Sequence, residues 1–184
     1  MSEWIATHIT IGGRIAESLA AALCQAIGEE GGGLDWGDDP FRPQRSEQLL
    51  AARQQIGDTL VLRLFDETAS GGRFESLEAF LVEHGIAFDR QHEAKFDVSA
   101  GRLVYRPGIG IHEFLTDAEE KIVIRAEPLR GIAETLAQVQ LALSAERSVE
   151  AGSLLAGCLL QIQAALPPEL PALPSLEIVP TDVA

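Results

Sequence analysis

Residues 70–108, SGGRFESLEAFLVEHGIAFDRQHEAKFDVSAGRLVYRPG, constrain this chain more than any other stretch, because their apolar spacing changes period at one glycine. Phe74, Leu77, Phe80 and Leu81 recur at three and four residues and make one face of a helix, while Glu75, Glu78 and Glu83 lie largely on the other. Gly85 ends that helix, since glycine takes the left-handed cap conformation without a Cβ clash. His84, just before it, sits where the helix dipole favours an imidazolium. Residues 86–98 then read as extended chain. Phe96, Asp97 and Val98 are expected to meet Leu103, Val104 and Tyr105 across the turn 99–102 as a β-hairpin, closed by Pro107 and Gly108.

The chain before this stretch starts with WIATHITI, residues 4–11, whose alternation predicts a half-buried strand. Gly12 and Gly13 break it, and Ile15, Leu19, Leu23 and Ile27 then mark a helix ending at Gly28. Residues 28–45 hold five glycines, two prolines, five acids and two aromatics, and read as a loop. Ser46 caps a short helix through Leu49, Leu50, Arg53 and Ile56, stopped by Gly57. The run DTLVLRLFDE, apolar on nearly both faces, predicts an interior strand, and residues 66–73 a turn region.

Beyond the hairpin, residues 109–115 are ambiguous and residues 121–125 read as a strand through Ile122, Val123 and Ile124. Pro128 suits a first helical turn, and Leu129, Ile132, Leu136, Val139 and Leu143 continue that helix. A second helix follows Ser148, apolar over much of its circumference and nearly without charge from Ala151 to Leu166. It must be covered, either by the preceding helix and the sheet or by a second copy in a homodimer. The expected fold is α+β: one domain over residues 1–166, an open, mainly antiparallel sheet with helices on one face and two C-terminal helices. A proline-rich extended tail occupies residues 167–184.

Charge narrows the function classes. Against 28 acidic residues stand 14 basic ones, a formal net charge of −14, which repels phosphate backbones and argues against direct binding of nucleic acid. A solvated acidic exterior is one account of this; the sharper one is a decoy offering carboxylates to a basic groove on a nucleic-acid-binding protein partner. No apolar run approaches the roughly 18 residues that a membrane span needs, and the first residues lack a signal-peptide pattern, so no membrane contact and a cytoplasmic location are expected. Cys24 and Cys158 fall in apolar helical patterns and read as small buried hydrophobes.

Few residues carry chemistry by their spacing. His8, His84, His92 and His112 are too scattered for a metal-ligand motif, the glycine pair at 12–13 lacks the rest of a phosphate loop, and no cofactor or metal is expected. Asp89, Glu93 and Lys95 form the best catalytic set, because ExK on a strand puts Glu93 and Lys95 on one face, as in metal-dependent nucleases resembling the D…(D/E)xK type. The acidic aromatic segment suggests instead a partner-binding epitope of Glu29, Glu30, Asp35, Trp36, Asp38, Asp39 and Phe41.

Phe74, Leu77, Glu78, Leu81, Gly85, Ile86, Phe88, Asp89, Arg90 and the run Tyr105, Arg106, Pro107, Gly108 resemble an uncharacterised family of small acidic proteins of phages, plasmids and other mobile elements, with a stretch of the form FxELExxL…HGIPFDR…YRPG. Ala87 stands where that pattern has proline. The resemblance implies a mobile-element context and no catalytic role. The expected function is a non-enzymatic protein-binding protein that blocks a host defence or nucleic-acid-processing complex, with the metal-dependent phosphodiesterase as the alternative.

Overall fold

The computed structural model describes residues 4–181. Two compact units are distinguished, one running up to Lys121 and including the residues from Leu170 on, the other spanning Ile122–Glu169.

The first unit is built on β1 (Trp4–Ile11), whose isoleucines at alternate positions bury one face of the strand. Antiparallel neighbours flank it: β4 (Thr59–Ser70) on one side and β5 (Phe88–His92) on the other. Adding β3 (Gln54–Ile56), β6 (Gly101–Arg106) and β7 (Gly110–Leu115) gives an open six-stranded antiparallel sheet in the order β3-β4-β1-β5-β6-β7. The helices α1 (Glu17–Glu30), α2 (Ser46–Ala51) and α3 (Glu75–Glu83) cover one face. Their Leu23, Ile27, Leu49, Leu77 and Leu81 share a core with Ile9, Ile11, Leu62, Leu64 and Phe88. The architecture is therefore α+β with an antiparallel sheet, and no helix among the described residues is long and apolar enough to cross a membrane.

Several local expectations are corrected. Helix α1 runs past Gly28 and ends at Gly31, whose φ of 86° supplies the left-handed cap. Gly57, at φ 58°, turns a hairpin between β3 and β4, so Ile56 belongs to a strand and not to a helix. Strand β4 continues to Ser70 through the supposed turn region, and Ala69 is buried opposite Ile5 beyond a bulge in β4 at Glu67 and Thr68. The hairpin pairs β5 with β6, His92 opposite Gly101, leaving residues 93–100 as its loop. Phe96 cannot extend a strand there: its φ is 52° and its ring is 84% exposed. Residues 121–125 form no strand, and the ambiguous stretch before them is β7.

The proline-rich segment is docked on the sheet unit. Strand β8 (Glu177–Val179) pairs in parallel with β2 (Arg14–Ala16), and Leu176 is fully buried in the core. Arg53 donates to the Leu176 carbonyl at 2.9 Å and Arg106 to that of Pro171 at 2.9 Å. Gly12 is required at this contact, since a Cβ there would lie 2.1 Å from the Pro174 carbonyl oxygen.

The second unit is a helical hairpin of α4 (Ala126–Ser144) and α5 (Ser148–Ala165). Val139 and Ala142 meet Ala151 between the helices, and the Thr135 hydroxyl reaches Gln161 at 3.3 Å, so the helices run antiparallel. Cys24 and Cys158 are both free and buried.

Candidate functional site

The sheet face away from the helices carries a polar and aromatic set. Pairing across β1 puts His8 opposite Phe65 on one side and Gln91 on the other, with Arg63 two pairs further along on the same face, opposite Thr10. These positions alternate with the core isoleucines and leucines, so they face the other way. Around them opens a cleft of about 860 Å³, a size that suits a small ligand or the side chains of a bound segment.

Trp36 forms one wall. The chain before it is stitched to β4, where Gly33 and Phe65 exchange two backbone hydrogen bonds of 2.8 and 2.9 Å. The packing there is tight: a Cβ on Gly32 would lie 3.1 Å from the Phe74 ring, and one on Gly33 3.0 Å from the backbone of Asp38, so a side chain at either position would push its neighbours aside. Asp35 accepts the Trp36 backbone N–H, and the indole meets the Phe65 ring at 4.8 Å between centroids, inclined at 61°. The facing wall comes from the hairpin loop, through Glu93 and Ser99, and from Thr116 to Glu120 after β7.

The floor is electrostatically unusual. Arg63 lies over the Phe65 ring, 4.9 Å from its centroid, and donates to His8 Nε2 at 2.8 Å. A guanidinium can only donate, so Nε2 is the acceptor and His8 carries its proton on Nδ1. Burial above all, together with the charges of Arg63 and Arg102, lowers the His8 pKa from 6.5 to about 4. The imidazole is neutral with its free lone pair occupied, which suits it to holding Arg63 rather than to abstracting a proton. Arg63 makes no ion pair among the described residues, and its Nε and the Thr116 hydroxyl are buried without a hydrogen-bond partner. At the rim Asp35, Glu93, Asp117 and Glu120 outnumber that one guanidinium.

This arrangement ties stability to pH. The folded-state pKa of His8 lies below its ordinary 6.5, so its contribution is present above pH 6.5 and is lost as pH falls toward 4. The shift corresponds to about 3 kcal/mol. Urea unfolding of the wild type and of His8→Gln should show the wild type losing about that much more stability between pH 7 and pH 4; parallel curves would mean that His8 charges freely in the fold.

The residues singled out from sequence divide. Asp35 and Trp36 line the cleft. Phe41 packs on the hydrophobic core, and Glu30 accepts the Leu77 backbone N–H at 3.2 Å near the start of α3. Burial raises the Glu30 pKa despite that bond. Glu29 is exposed and accepts from Gln25, and Asp38 and Asp39 are exposed beside the loop. The nuclease set is not assembled: both Asp89 oxygens are held by arginines, Arg102 at 2.5 Å and Arg106 at 2.6 Å. Lys95 donates to the Trp4 carbonyl, and Glu93 alone of the three lines the cleft. Among the described residues no group of three or more His, Cys, Asp or Glu is placed to hold a metal ion.

His8, Arg63, Phe65 and Thr116 were not singled out as a site from sequence. The one signal was Arg63 itself, a charge inside the apolar run LVLRLF. No family model, curated protein or solved structure matches the chain.

Proposed function

We propose that this protein is a non-catalytic recognition protein that takes a basic segment of a protein partner into the cleft beside Trp36. One observation carries this reading: an aromatic-walled cleft whose rim is acidic and whose floor and facing wall each hold a buried, unpartnered polar group, Arg63 Nε and the Thr116 hydroxyl. A lysine or arginine side chain would lie against the Trp36 indole and meet Asp35, Glu93 or Glu120. Arg63 Nε–H and the Thr116 hydroxyl would bond to the backbone of the same segment.

The overall charge of −14 steers basic partners and repels nucleic acid itself, which favours a nucleic-acid-binding protein as the partner. The resemblance of residues 74–108 to mobile-element proteins supports a host defence or nucleic-acid-processing complex as the place where that partner is found, and inhibition as the outcome.

A random peptide library panned on the full chain should enrich Lys- and Arg-containing sequences. Fluorescence polarisation with an enriched peptide should show affinity falling with added salt and falling about 10-fold or more in Trp36→Ala. Enrichment without basic residues, or peptides bound equally well by Trp36→Ala, would refute the reading.

A further inference from the structure

We propose that two copies of this chain associate through one face of the α4–α5 hairpin, forming a four-helix bundle. The inference is independent of the cleft.

The hairpin buries little between its own helices: Val139, Ala142, Ala151 and Cys158 are its buried apolar residues. Six leucines remain 42–60% exposed: Leu129, Leu136 and Leu143 on α4, Leu155, Leu159 and Leu166 at α5. At about 100° per residue, the α4 leucines lie about 40–80° round the helix from inward-facing Val139. Those at α5 lie about 60–100° round from inward-facing Cys158, in the same rotational sense. The helices are antiparallel, so equal rotations lead to the same side of the hairpin. The six leucines therefore form one apolar layer across both helices, with half-buried Ile132 and Ile162 among them.

Charge and area select the occupant. Arg130 and Glu134 lie about 180–220° round from Val139, and Glu150 lies about 80° the opposite way from Cys158, so the leucine layer is free of charge. A chain at −14 repels its own copies over most of its surface. The leucine layer brings no like charges together, and a second copy offers the same uncharged, two-helix surface. At 42–60% exposure the six leucines present roughly 500 Å² of apolar surface, more than a monomer ordinarily leaves in one patch and in the range of the smaller specific interfaces. Two such layers stack with the near-antiparallel packing of a four-helix bundle.

Sedimentation equilibrium of the full chain, from low to high micromolar concentration, should give twice the 19.8 kDa chain mass. The double variant Leu136→Glu/Leu159→Glu should raise the dissociation constant about 100-fold or more. The control Leu141→Glu/Leu160→Glu, which places charges on exposed leucines away from the layer, should leave it unchanged within about threefold. Circular dichroism checks that both variants remain helical. A wild type that sediments as a monomer throughout overturns the proposal even if a variant misfolds, as does equal weakening by the two double variants.

Discussion

Asp89→Ala is expected to lower the unfolding free energy by about 3–5 kcal/mol. Asp89 is 16% exposed and each of its oxygens accepts from a different arginine of β6, Arg102 at 2.5 Å and Arg106 at 2.6 Å. The Arg106 side chain is only 7% exposed, so removing the carboxylate leaves a buried guanidinium without its counter-ion. Its remaining bonds, to the carbonyls of Phe88, Tyr105 and Pro171, supply acceptors but no charge. Arg102 is 37% exposed and loses less, because water takes over solvation of its head. Denaturant unfolding of Asp89→Ala, Arg102→Ala and Arg106→Ala should rank Arg102→Ala as the mildest. A loss below about 1 kcal/mol for Asp89→Ala would show the pair to be solvated like a surface ion pair.

The segment after residue 170 carries the second large effect. Leu176→Ala should cost about 2–5 kcal/mol, the range for truncating a leucine in a packed core. Gly12→Ala should act from the other side of the same contact, because its methyl group would occupy the position of the Pro174 carbonyl oxygen. Either the backbone of β1 shifts or the segment lifts away, taking with it the acceptors of Arg53 and Arg106. Limited proteolysis should cut Gly12→Ala first between residues 167 and 181, and its unfolding midpoint should fall with that of Leu176→Ala. Wild-type resistance and stability in both variants would mean that the segment rests on the body without holding it together.

The elements that sequence revealed are those whose burial is one-sided. Ile5, Ile9 and Ile11 alternate because one face of β1 meets the helices, and Leu77 and Leu81 recur because one stripe of α3 meets the sheet. Legibility failed where pairing was decided at long range. Residues 66–70 have no apolar pattern, yet they are strand because β1 is there to pair with them. Ile122, Val123 and Ile124 have strand propensity, yet only Ile122 makes an isolated bridge and no strand forms, so propensity was overridden. Leu176 sits among prolines, and its burial depends on a groove supplied by residues far away in sequence. The site was half legible for the same reason. Asp35 and Trp36 stood out by composition, whereas His8, Arg63 and Thr116 come from three separate strands or strand ends and line one cleft only once the sheet has formed.

The parallel pairing of β2 with β8 also sets a timetable for synthesis. Residues 14–16 leave the ribosome more than 150 residues before their partner strand and the leucine that completes the core beside it. The six-stranded sheet has all of its strands once Leu115 is made, with one part of its core still open. The helical hairpin must be translated before the missing piece arrives. At cellular elongation rates of about 5–20 residues per second, the interval from Leu115 to Leu176 is roughly 3–12 s, long compared with the assembly of the sheet itself. During it the nascent chain carries a sheet with an unfilled core, so the sheet unit is completed only after the helical hairpin has been synthesised.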